Sequence, residues 1–85
     1  MYRLDQDICR IGKRENADFD LSDNPSVSRR HAVLVRRNGK WYLRDSGSLN
    51  RTFVNGKRLE FETDVEIHPG DRLRFADEQV MFIEQ

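Results

Sequence analysis

The sequence predicts an all-β sandwich, and three observations carry that prediction. Apolar residues come in short runs separated by Gly, Pro, Asn, Asp or Ser, the punctuation of strands and turns. No window keeps the i, i+3, i+4, i+7 spacing of an amphipathic helix for three turns. Two Asn-Gly pairs, Asn38-Gly39 and Asn55-Gly56, stand between alternating segments, and this dipeptide supplies the two positive-φ positions of a type I′ hairpin turn.

Strands are expected at residues 2–4, 8–11, 19–21, 31–36, 41–44, 52–54, 58–59, 65–67, 72–75 and 79–83. Only the short segment 2–4 precedes the strand at 8–11, so an edge strand is expected to be missing and the 85 residues to be a single domain cut from a longer protein. Cys9, between Ile8 and Ile11, reads as a small buried hydrophobe. His31, Val33 and Val35 alternate with Ala32, Leu34 and Arg36 before Asn38-Gly39 turns the chain into Trp41-Tyr42-Leu43-Arg44. The second Asn-Gly pair links Phe53-Val54 to Leu59 in the same way. Pro69-Gly70-Asp71 turns into the strand carrying Leu73 and Phe75, and Ala76-Asp77-Glu78 reverses it into the last strand. Trp41, Phe53, Phe75 and Phe82 alternate with charged residues at strand period. They read as core or half-core residues rather than a platform for stacking bases.

Bulk properties exclude several functions. Fifteen basic and 15 acidic residues cancel to a net charge of zero, so no global field draws the chain to nucleic acid or to an anionic membrane. The pairs Arg36-Arg37 and Lys57-Arg58 read as solvated hairpin tips. One cysteine makes no internal disulfide, and with two histidines it makes no closed zinc site, so neither a metal nor another cofactor is expected. No apolar run approaches 18 residues; a cytoplasmic location follows as the expectation. An anion bound by this chain is therefore recognised by a local cluster.

Such a cluster is visible. Ser26-Val27-Ser28-Arg29-Arg30-His31 crowds two hydroxyls, two guanidiniums and an imidazole together, immediately before a core strand. Gly12-Lys13-Arg14 and Gly47-Ser48-Leu49-Asn50-Arg51-Thr52 also flank strands and carry donors, and in a sandwich such loops can meet at one end. Ile11-Gly12-Lys13, Ser28-Arg29-Arg30-His31-Ala32 and Gly47 to Gly56, in that order over nearly the whole chain, resemble the forkhead-associated (FHA) domain.

The resemblance implies an FHA-like β-sandwich of about 10–11 short strands in two antiparallel or mixed sheets, with binding loops at one end. It implies a signalling or assembly module that binds phosphothreonine-containing proteins, the products of Ser/Thr kinases, and catalyses nothing. Ser28 matches the family's phosphate-binding serine, Arg29 a neighbouring donor, and Asn50 the asparagine that bonds the peptide backbone. His31, Gly12, Asn55 and Gly56 match positions that support the loops. Three positions depart from the pattern. Lys13 stands where an arginine is usual, which gives up the bidentate fork. Leu49 replaces a residue that is often threonine or serine, and Arg51 replaces a glycine; with Lys13, Ser28, Arg29 and Asn50 both are expected phosphopeptide contacts, Arg51 as a donor restored from the same loop. The rival reading is a degenerate FHA-like domain that assembles with proteins independently of phosphate. A hydrolase built on Ser28 and His31 is discounted, because no strand-turn-helix elbow is present.

Overall fold

The computed structural model describes residues 7–13 and 17–83. The strand expected at 2–4, and Arg14, lie outside them. Asn38 and Gly39 take φ values of 54° and 77°, as a type I′ turn requires, and join β3 (Ala32–Arg37) to β4 (Lys40–Asp45) in an antiparallel pair. Asn55 and Gly56, at 52° and 84°, do the same for β5 (Thr52–Val54) and β6 (Lys57–Arg58). The described residues form nine strands, completed by β1 (Ile8–Gly12), β2 (Phe19–Asp20), β7 (Val65–Ile67), β8 (Arg72–Phe75) and β9 (Glu78–Met81).

Two sheets result. One has the order β2-β1-β3-β4-β7 and the other β6-β5-β8-β9. The first is mixed, because β1 pairs in parallel with β2 and antiparallel with β3. Among the described residues, each expected segment is a strand, with ends moved by at most two residues. The largest difference is at β9, which stops at Met81, and His31 precedes β3 instead of opening it.

Alternation along each strand sends one set of side chains between the sheets. Ile11, Leu34, Trp41, Leu43, Leu73, Phe75 and Phe82 form the core, and Cys9 is buried among them. Of the four aromatics expected in core or half-core positions, Phe53 is the half-buried one, and its register partners Arg58 and Arg74 share its outward face. Among the described residues no helix is long and apolar enough to cross a membrane.

Candidate functional site

His31 organises one end of the sandwich. It is fully buried, and each of its four polar groups ties a different segment. Its backbone N–H donates to Ile11 O at 3.0 Å, its carbonyl accepts from Ser46 N at 3.0 Å, and Nδ1 accepts from Ser28 N at 3.0 Å. With Nδ1 an acceptor, the ring proton sits on Nε2, which donates to Arg51 O at 2.7 Å. The Phe75 ring meets the imidazole edge-on at 5.9 Å and fixes its plane. A residue that reads from sequence as the head of a strand thus joins the ends of β1 and β4 to two loops.

The loop before His31 is built from the inside. Val27 is buried as its anchor, while the Asn24 side chain accepts from Ser26 N at 2.9 Å and donates to Asp77 at 2.7 Å. Ser28 Oγ accepts the Leu49 N–H at 3.0 Å, and Asn50 Nδ2 donates to Ser26 O at 2.8 Å. Lys13 Nζ donates to Pro25 O at 3.3 Å. Gly12 lies so close beneath that a Cβ there would be 1.9 Å from Arg29 O. The three loops picked out in the sequence therefore meet.

Donors remain available at this end. Accepting from Leu49 leaves the Ser28 hydroxyl proton free to turn outward, and Lys13 and Asn50 each keep N–H groups beyond the ones engaged. Arg29 and Arg30 are exposed and form no side-chain hydrogen bond or ion pair among the described residues. Leu49 is 83% exposed. Arg51 joins the cluster by its backbone, held at φ 71°, while its guanidinium stacks 4.1 Å from the Phe61 ring centroid. Asn55 and Gly56 lie at the far end of the three-residue strand β5, where Asn55 bonds Asp71 and Arg72. Their support is to the sheet and does not reach the loops directly.

A buried carboxylate shapes the third loop. Asp45, the last residue of β4, accepts from Gly47 N and Ser48 N, each at 2.8 Å, and from Ser48 Oγ at 2.6 Å. Burial pushes its carboxyl up, but the Ser48 hydroxyl with the Ser48 and Gly47 amides outweighs that and holds it below its ordinary value. Asp45 lies outside the motifs quoted from the sequence, and Ser48 enters them only as part of the donor-carrying loop. The signal was an Asp at a strand end followed by Ser-Gly-Ser, the pattern of a side-chain-capped turn.

Residues 9–76 match the family model of the FHA domain. The chain belongs to the FHA family. Among curated relatives, it is 45% identical over 65 residues to the protein phosphatase 1 regulatory inhibitor subunit PPP1R8 homolog of Arabidopsis thaliana, covering 75% of this chain and 17% of that protein. It is 34% identical over 83 residues to the oxoglutarate dehydrogenase inhibitor of Corynebacterium diphtheriae, covering 98% of this chain and 55% of that one. The chain thus spans about half or less of the length of these two relatives. Among solved structures, the FHA chain is similar to Mycobacterium tuberculosis EmbR in complex with a low affinity phosphopeptide. The TM-score is 0.88 at 32% identity, over 96% of this chain and 21% of that one.

Proposed function

We propose that this FHA domain is a phosphothreonine-dependent binding module, and that the joined loops around His31 form its phosphopeptide site. The observation that carries the proposal is the exposed Arg29, next in sequence to Ser28 and with no side-chain partner among the described residues, on loops that hydrogen bonds already hold together. A phosphothreonine brings nearly two negative charges and three acceptor oxygens. Ser28 Oγ–H, Arg29 and Lys13 donate to the phosphate, and the Asn50 amide bonds the peptide backbone beside it. The resemblance of EmbR, solved with a phosphopeptide, supports the same assignment.

The donor count suffices. Micromolar affinity requires about 8 kcal/mol, and each charge-assisted hydrogen bond contributes about 1.5–3 kcal/mol net. Three or four such bonds reach that level once flanking contacts offset the association entropy. The module binds without catalysing: both ring nitrogens of His31 are engaged, Nδ1 by Ser28 N and Nε2 by Arg51 O, so the Ser28 hydroxyl has no imidazole base. The setting proposed is cytoplasmic, where a lone buried thiol such as Cys9 stays reduced.

Titration against matched phosphothreonine, phosphoserine and unphosphorylated peptide libraries tests the proposal. Saturable binding to phosphothreonine, weakened about tenfold or more in Arg29→Ala, is expected. Equal binding to all three libraries would replace it with phosphate-independent assembly.

A further inference from the structure

The outer faces of the two sheets differ in how their arginines are compensated. On the five-stranded sheet, Arg10 pairs with Asp18 at 3.3 Å, while Arg37 and Arg44 share Asp64 at 2.6 and 2.7 Å. On the four-stranded sheet, Phe53 lies opposite Arg58 and Arg74, and Arg74 opposite Gln79. Arg72 lies opposite Met81 two residues further along. Because Thr52, Leu73 and Phe75 point inward and are buried, period-2 alternation sends all of these side chains outward together. Among the described residues, none of Arg58, Arg72 and Arg74 has a carboxylate within ion-pair distance. Met81 on the same face is 58% exposed. Arg74 donates to the Ala76 carbonyl at 2.7 Å, and in a chain of zero net charge this face concentrates three arginines without a carboxylate partner among the described residues.

We infer that the outer face of the four-stranded sheet docks an acidic segment of a partner protein, with carboxylates on Arg58, Arg72 and Arg74 and an apolar side chain against the exposed Met81. Charge complementarity selects the occupant, and the planar guanidinium fork matches a carboxylate. A polypeptide fits better than a nucleic acid for two reasons. The Arg74 guanidinium already covers the Phe53 ring at 3.7 Å, so the aromatic surface on this face is closed to a stacking base. Three cations also neutralise too few phosphates for firm binding at physiological salt. Arg58 and Arg74 stand on strands about 10 Å apart, so the segment carries acidic residues with at least that separation. This surface works independently of the phosphopeptide site.

The test is a titration of the nitrogen-15-labelled chain with poly-L-glutamate and, separately, with an oligothymidylate of equal charge, read amide by amide. Poly-L-glutamate should perturb β5, β6, β8 and β9, and the exposed pair Arg58→Gln and Arg72→Gln should weaken that binding about threefold to tenfold. Lys40→Gln, on the other sheet, should leave it unchanged. Perturbations confined to Lys13, Arg29 and Arg30 would overturn the inference, as would tighter binding of the oligothymidylate at this face. Retention of phosphothreonine binding by the double variant would show that the two surfaces are separate.

Discussion

A methyl group on Gly12 would lie 1.9 Å from the Arg29 carbonyl oxygen, and the atom it meets is backbone rather than a flexible side chain. Gly12→Ala must therefore push apart the first two loops. We expect it to cost about 1–3 kcal/mol of stability by chemical denaturation and to lower phosphopeptide affinity at the same time. Unchanged affinity would mean that loop spacing does not matter. Arg51 presents the opposite case, a non-glycine residue held at φ 71°. Arg51→Gly relieves about 1–2 kcal/mol of backbone strain. It also adds about 0.5–1 kcal/mol of chain entropy cost and removes a stacking contact worth about 0.5–1 kcal/mol. These effects nearly cancel, so denaturation midpoints should give a difference within about 1 kcal/mol. A loss well beyond that would assign the Phe61 contact a larger role. Both residues were visible in the sequence as motif positions. The carbonyl beneath Gly12 and the ring beneath Arg51 were not, because each comes from a segment distant in the chain.

The loop after β4 depends on ionised Asp45. Its carboxyl is held below the ordinary value of 3.8, so the stabilisation is fully present above about pH 4 and is lost as pH falls through the lowered folded value. Asp45→Asn should cost about 1–3 kcal/mol at neutral pH, the charge-assisted acceptor being gone. The difference between wild type and variant should shrink as the buffer is taken below pH 4. A gap constant from pH 7 to pH 3 would show that the charge is not what the loop uses. The hairpins themselves needed no such discovery. Asn38-Gly39, Asn55-Gly56 and Gly70 adopt positive φ where the turn chemistry requires it. Strand ends were less legible: His31 alternates correctly for β3, yet its backbone bonds Ile11 and Ser46 at the strand's mouth.

At the scale of the whole molecule, the zero net charge leaves binding to local fields at the loop end. Phosphopeptide affinity should therefore fall with added salt. It should also fall about fourfold between pH 7.5 and pH 5.5, as the phosphate passes its second pKa of about 6. Isothermal titration at both pH values measures this. An affinity unchanged across that range would argue that the ligand's charge is not being read. The same reasoning predicts that Arg58→Gln with Arg72→Gln leaves phosphopeptide affinity unaltered, since those side chains sit on the sheet's outer face with Phe53.

By itself, the sequence determined the sandwich, its turns, its buried apolar set and the three segments that carry the candidate site. Strand period and turn chemistry are written in residues a few positions apart, where steric preference acts regardless of the rest of the chain. Only the tertiary structure decided how those segments meet. The contacts that join them, His31 to Arg51, Ser28 to Leu49, Asn50 to Ser26 and Gly12 beneath Arg29, span 17 or more positions. Their geometry follows from how two sheets stack. The uncompensated arginine face has the same origin: register across β6, β5, β8 and β9 brings Arg58, Arg72 and Arg74 onto one surface, and no local pattern encodes that register.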